Sequence, residues 1–115
     1  MTTARYIAAL LALSAASPAM AQFTCDQKEY AQYKDETKSQ SARMSLAFEH
    51  CRIARTIDYN NKMMTLATQH RKYREIEEAR QNIAICESAQ TKIVSALTAV
   101  NDDKNLKFLR TGCKA

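Results

Sequence analysis

The chain is nearly empty of glycine and proline. Gly112 is the only glycine and Pro18 the only proline among 115 residues. That scarcity removes Gly-rich phosphate loops and the Gly-x-Ser-x-Gly nucleophile turn, both of which need glycine where backbone comes close to a ligand. It also leaves residues 22–111 without a strong helix breaker. Histidine is scarce too. His50 and His70 stand alone, so no His-Glu-x-x-His zinc site is present. The cysteines are few and far apart: Cys25, Cys51, Cys86 and Cys113, the closest pair 26 residues apart. With no Cys-x-x-Cys, a thioredoxin-type site, c-type haem attachment and a zinc finger are all unsupported.

What is present begins with an export pattern. Arg5 supplies one positive charge, an apolar run covers residues 6–16, and Ser17 and Pro18 interrupt it. Ala19, Met20 and Ala21 then form a small-x-small cleavage site. The apolar run is too short for a membrane span, which needs about 20 residues. Residues 1–21 are therefore expected to be a cleavable secretory signal, with residues 22–115 as one mature domain. The Ala-Met-Ala-Gln end resembles Gram-negative bacterial signals, so the expected destination is the periplasm or the outside. No lipobox precedes Cys25, and stable membrane insertion after cleavage is not expected. An even number of cysteines in an exported chain predicts two disulfides.

Arg5 is the only charged residue in the signal, so 16 Lys and Arg face 12 Asp and Glu in the remainder. This mildly basic balance is not that of a nucleic-acid binder. It biases the protein weakly towards acidic partners or headgroups.

The remainder is rich in Ala, Lys, Arg, Glu, Gln, Met and Leu, all good helix formers. Apolar residues recur every three or four positions: Tyr30, Tyr33, Thr37, Met44, Phe48, Cys51, Ala54, Ile57, then Tyr59, Met63, Leu66, His70, Tyr73, Ile76. The rhythm slips before Ile83 and resumes through Cys86, Ile93, Leu97 and Val100. This is helical spacing, and one-sided faces call for partner helices. Clusters of capping residues at 37–41, 58–61 and 101–103, with Gly112 at the end, mark candidate turns. The fold predicted is all-α: an elongated antiparallel bundle of three to four helices over about 26–37, 41–57, 61–99 and 103–111, with coiled-coil character. Turns near 38 and 100 would bring Cys25 level with Cys51, and Cys86 level with Cys113. Those pairings are favoured, each closing a loop of about 26 residues for about 3 kcal/mol.

Few residues suggest chemistry. Glu49, His50 and Cys51 are adjacent, but neighbours on a helix point about 100° apart and do not form a triad. Met44, Met63 and Met64 lack the clustered spacing of a copper site, and methionine more often fills a core. Glu75, Glu77 and Glu78 lie among basic residues, where Arg71 with Glu75 and Arg74 with Glu78 can pair four apart along a solvated face. No enzyme, cofactor or metal is expected. Tyr59, Met63, Leu66, His70 and Tyr73 form a possible interface, against the plainer reading of boundary packing. The expectation is an exported, non-enzymatic module that binds another envelope or extracellular protein, or a second copy of itself. The alternatives are a binder of metal or of an acidic envelope ligand, and an inhibitor of a hydrolase such as lysozyme.

Overall fold

A computed structural model describes residues 24–114. The signal expected over 1–21 lies outside the described residues. Four helices and no strand are present among them: α1 Tyr30–Asp35, α2 Gln40–Gln69, α3 Tyr73–Ala99 and α4 Asp103–Arg110. The all-helical, elongated architecture matches the reading of the sequence, with extents of 55 × 40 × 23 Å.

The placement of the long helices differs. Residues 58–61 do not turn. Asp58 pairs with Lys62 one turn on at 3.0 Å, and the Asn60 amide donates to the Thr56 carbonyl at 2.9 Å. Polar groups satisfied along the helix need no loop, so α2 runs through. The break falls inside the predicted 61–99 helix, at residues 70–72. There Arg71 adopts φ 55°. The Lys72 N–H bonds back to the Ala67 carbonyl at 2.8 Å, and the Arg71 N–H to Thr68 at 3.2 Å. This is the Schellman arrangement, closed by arginine where glycine is usual. The other two predicted ends use the same device. Asn101 (φ 55°) ends α3 and Gly112 (φ 71°) ends α4, each with the same pair of backbone hydrogen bonds.

α2 and α3 thus form one long antiparallel hairpin. Its seam repeats every seven residues: Leu46, Ile53, Asn60 and Ala67 on α2, Ala79, Cys86 and Ile93 on α3, all buried. A seven-residue apolar repeat is the coiled-coil pattern. The seam is bulky at one end and small at the other. Tyr33, Leu46, Ile53, Ile93 and Leu97 build the main core, and Leu106 and Leu109 of α4 pack against it. Towards the hairpin tip only Asn60, Ala67 and Ala79 remain.

The two disulfides are Cys25–Cys86 and Cys51–Cys113, with Cα separations of 5.2 and 6.1 Å. The pairing expected from the sequence, Cys25–Cys51 with Cys86–Cys113, is wrong. That pairing requires each terminal segment to fold back on its sequence neighbour and to be helical throughout. Instead the chain before α1 is extended, with Glu29 at ψ 148°. Extended residues advance about 3.3 Å each, against about 1.5 Å in a helix. The segment therefore reaches farther than a helix would, along α3, where Lys92 donates to the Lys28 carbonyl at 3.1 Å. At the other end α4 packs against both long helices, and its end meets α2 at Cys51. The bridges interleave, spanning 61 and 62 residues. Longer loops restrict the unfolded chain more, about 4 kcal/mol each in the chain-entropy account. No free cysteine remains among the described residues. Two disulfides suggest an oxidising, non-cytoplasmic location. No helix of the described residues is long and apolar enough to cross a membrane.

The terminal segments are tied to the core end by charge as well. Arg43 donates to Asp102 at 3.0 Å and to the Thr37 carbonyl at 3.0 Å, linking the α1–α2 and α3–α4 turns. Burial pushes the Asp102 carboxyl up. Hydrogen bonds from the Asn105 side chain and backbone and from Arg43 outweigh that and hold it below its ordinary value.

Candidate functional site

The tapering seam has a geometric consequence. Two helices hold a fixed distance through the bulky layers at Ile53 and Ile93. Where Ala67 and Ala79 follow, side chains no longer fill the space between them. A groove of about 310 Å³ opens there, floored by Ala67, Ala79 and the aliphatic and aromatic parts of Tyr59, Met63 and Leu66. Asn60 and Asn82 close its inner end; the Asn82 side-chain amide donates to the Asn60 side-chain oxygen Oδ1 at 3.3 Å. A polar pair at a seam position fixes the register of two helices, and so holds the groove in shape. The exposed His70, Lys72, Glu75, Glu78 and Thr24 complete its lining.

Four of the five residues singled out as an interface, Tyr59, Met63, Leu66 and His70, line this groove. Met63 and Leu66 are 42 % and 48 % exposed, large apolar side chains facing water. They are exposed because the Leu46–Ile53–Asn60–Ala67 row takes the inward face. The three-four rhythm of the sequence had merged these two neighbouring stripes. Tyr73 is outside the groove lining, 74 % exposed at the start of α3. Ala67, Ala79, Asn60 and Asn82 were missed. Their signal was the seven-residue spacing of small or polar residues within an otherwise apolar row.

The other candidates are dispersed. Glu49 grips Arg52 through two contacts of 2.7 and 3.1 Å; those hydrogen bonds hold its carboxyl below the ordinary range despite burial. Cys51 is in a disulfide. His50 faces a shallow depression lined by Glu87, Gln90, Thr91, Val94 and Ser95. Its Nδ1 is buried and finds no hydrogen-bond partner among the described residues, and desolvation pushes the imidazole below its usual value. His50 and His70 lie twenty positions apart on α2 and its cap, about 30 Å along the axis, so they share no site. Among the described residues no three His, Cys, Asp or Glu side chains converge as a metal site. Arg74 and Glu78 pair at 3.7 Å as expected. Arg71 and Glu75 do not pair, because Arg71 stands in the turn outside α3.

The groove offers an apolar floor, a fixed shape and charges of both signs at its edge. A space of this size takes one large aromatic or aliphatic side chain with part of its flanking backbone. Such a pocket is the usual seat of the anchor residue that dominates a protein interface. Compared with known proteins, the chain matches no family model, no curated protein and no solved structure.

Proposed function

We propose that this chain is an exported, non-enzymatic binding module that captures an apolar anchor side chain of a partner protein in the groove at the α2–α3 tip. The observation that carries the reading is the coincidence of exposed Met63 and Leu66 with a cleft floored by Ala67 and Ala79. Isolated exposed apolar residues are ordinary, but several bordering one preformed cavity mark a binding surface. The bridges and the asparagine pair preorganise the cleft, which lowers the ordering cost of binding. The export pattern of residues 1–21 and the two disulfides together support an address in the periplasm or outside the cell.

The test is site-specific photocrosslinking in the exporting host. A photoreactive side chain at Met63 is expected to yield an adduct with one defined protein, and Leu66→Glu to abolish it. An adduct with a second copy of this chain would convert the reading to self-association. Adducts that form equally well in the Leu66→Glu protein would refute it. Mature protein beginning at Gln22 is expected from N-terminal sequencing; an intact Met1 with reduced thiols would refute the address.

A further inference from the structure

Along the core half of α2, away from the groove, α2 and α4 present a second surface of different character. Phe48 is 57 % exposed and Met44, one turn before it, 44 % exposed. Phe48 meets Phe108 of α4 edge to face, with ring centroids 5.9 Å apart. Two aromatic rings and a methionine thus stand together at the surface. Burying Leu106 and Leu109 against the core turns the opposite face of α4 outwards, and that face carries Lys104 and Lys107. Arg110 and Lys114 follow, both exposed. Arg55 lies on the Phe48 face of α2, two turns further on. None of these five cations is in an ion pair among the described residues. After Asp103 no acidic residue occurs in the chain.

We propose that this face docks on an anionic phospholipid surface, with Phe48, Phe108 and Met44 entering the headgroup region and the lysines resting on phosphates. The pattern is that of a peripheral contact: a short amphipathic helix, protruding aromatic rings, and long cationic side chains whose stems lie along apolar surface. Charge complementarity selects anionic over neutral lipid, at roughly 1 kcal/mol per cation near the surface. Phe48 and Leu66 are about 27 Å apart along α2. The two surfaces therefore do not overlap. The inference does not depend on the groove having a partner, and its test reads lipid binding alone.

The test uses the oxidised mature protein with vesicles of phosphatidylcholine alone or mixed with phosphatidylglycerol. The chain has no tryptophan, so Phe48→Trp supplies a unique reporter. Its emission is expected to shift to the blue with phosphatidylglycerol vesicles and stay unchanged with phosphatidylcholine. In co-sedimentation, Lys104→Ala with Lys107→Ala is expected to weaken binding about 30-fold. Phe48→Ala is expected to weaken it about 10-fold, and salt to weaken every variant. A melting curve shows that each variant remains folded, which the exposure of all three side chains favours. Equal binding to neutral vesicles would overturn the proposal, as would no binding to either. So would affinity unchanged by Phe48→Ala, which means that charge alone acts, as on any soluble acidic polymer.

Discussion

Three helices of this protein end in the same backbone geometry but with three different residues in the left-handed position: Arg71, Asn101 and Gly112. This is a built-in comparison. The left-handed region costs an ordinary L-residue about 1–2 kcal/mol, because Cβ crowds the following carbonyl. Glycine escapes that cost but loses more entropy on folding, about 0.5–1 kcal/mol. Arg71→Gly removes the first and adds the second, so the net gain is about 0.5–1 kcal/mol. Nothing offsets it: the Arg71 side chain makes no ion pair or hydrogen bond among the described residues, and the backbone bond to Thr68 survives. For a domain of this size 1 kcal/mol moves the melting temperature by about 4–8 °C. Thermal unfolding followed by circular dichroism, with disulfides intact, is expected to show Arg71→Gly melting about 2–8 °C higher. Asn101→Gly gains less, since asparagine tolerates this region. Gly112→Ala runs the other way, losing about 1 kcal/mol; the new methyl meets nothing within 4 Å, so the loss is conformational only. A melting temperature for Arg71→Gly at or below that of the unmodified protein would refute the reasoning, and would place the α2–α3 turn elsewhere.

Other expectations follow from the same contacts. Non-reducing peptide mapping is expected to recover Cys25 joined to Cys86 and Cys51 joined to Cys113. Replacing either pair with serine is expected to cost about 4 kcal/mol in denaturant unfolding. Asp102→Ala removes the α4 cap and the Arg43 pair and is expected to cost about 1 kcal/mol or more at neutral pH. Because the folded Asp102 carboxyl titrates below its unfolded value, its contribution is complete above about pH 4 and disappears as pH falls through the folded value. Asp102→Ala should therefore flatten the acid limb of the stability curve. His50 acts in a higher window. Its folded form titrates below the unfolded value near 6.5, so the unfolded chain binds the proton first. Stability is complete above that value and declines below it. His50→Gln is expected to remove that decline, and an unaltered decline in the variant would count against burial as its cause.

Scarce glycine and proline with a three-four apolar rhythm were enough for an all-helical bundle, because 3.6-residue periodicity has no other packed solution. Asn101 and Gly112 were readable as helix ends because their side chains suit the left-handed region. Arg71 was not, because nothing local favours an arginine there. The turn sits at 70–72 because of the match between the α2 and α3 seams. Asn60 misled for the converse reason, as a turn-former by type that is absorbed by Thr56 within the helix and by Asn82 across it.

The amino-acid sequence alone determined the helical class, the even complement of cysteines, and the stripe from Tyr59 to His70 that borders the groove. These are local or compositional properties, and each residue carries its share without reference to distant ones. Tertiary structure decided which cysteines meet, where the hairpin reverses, and that small side chains at Ala67 and Ala79 leave a cleft between the helices. Each of those depends on the register of one helix against another. That register is set by the simultaneous packing of Leu46, Ile53, Cys86 and Ile93, and no single stretch of chain encodes it.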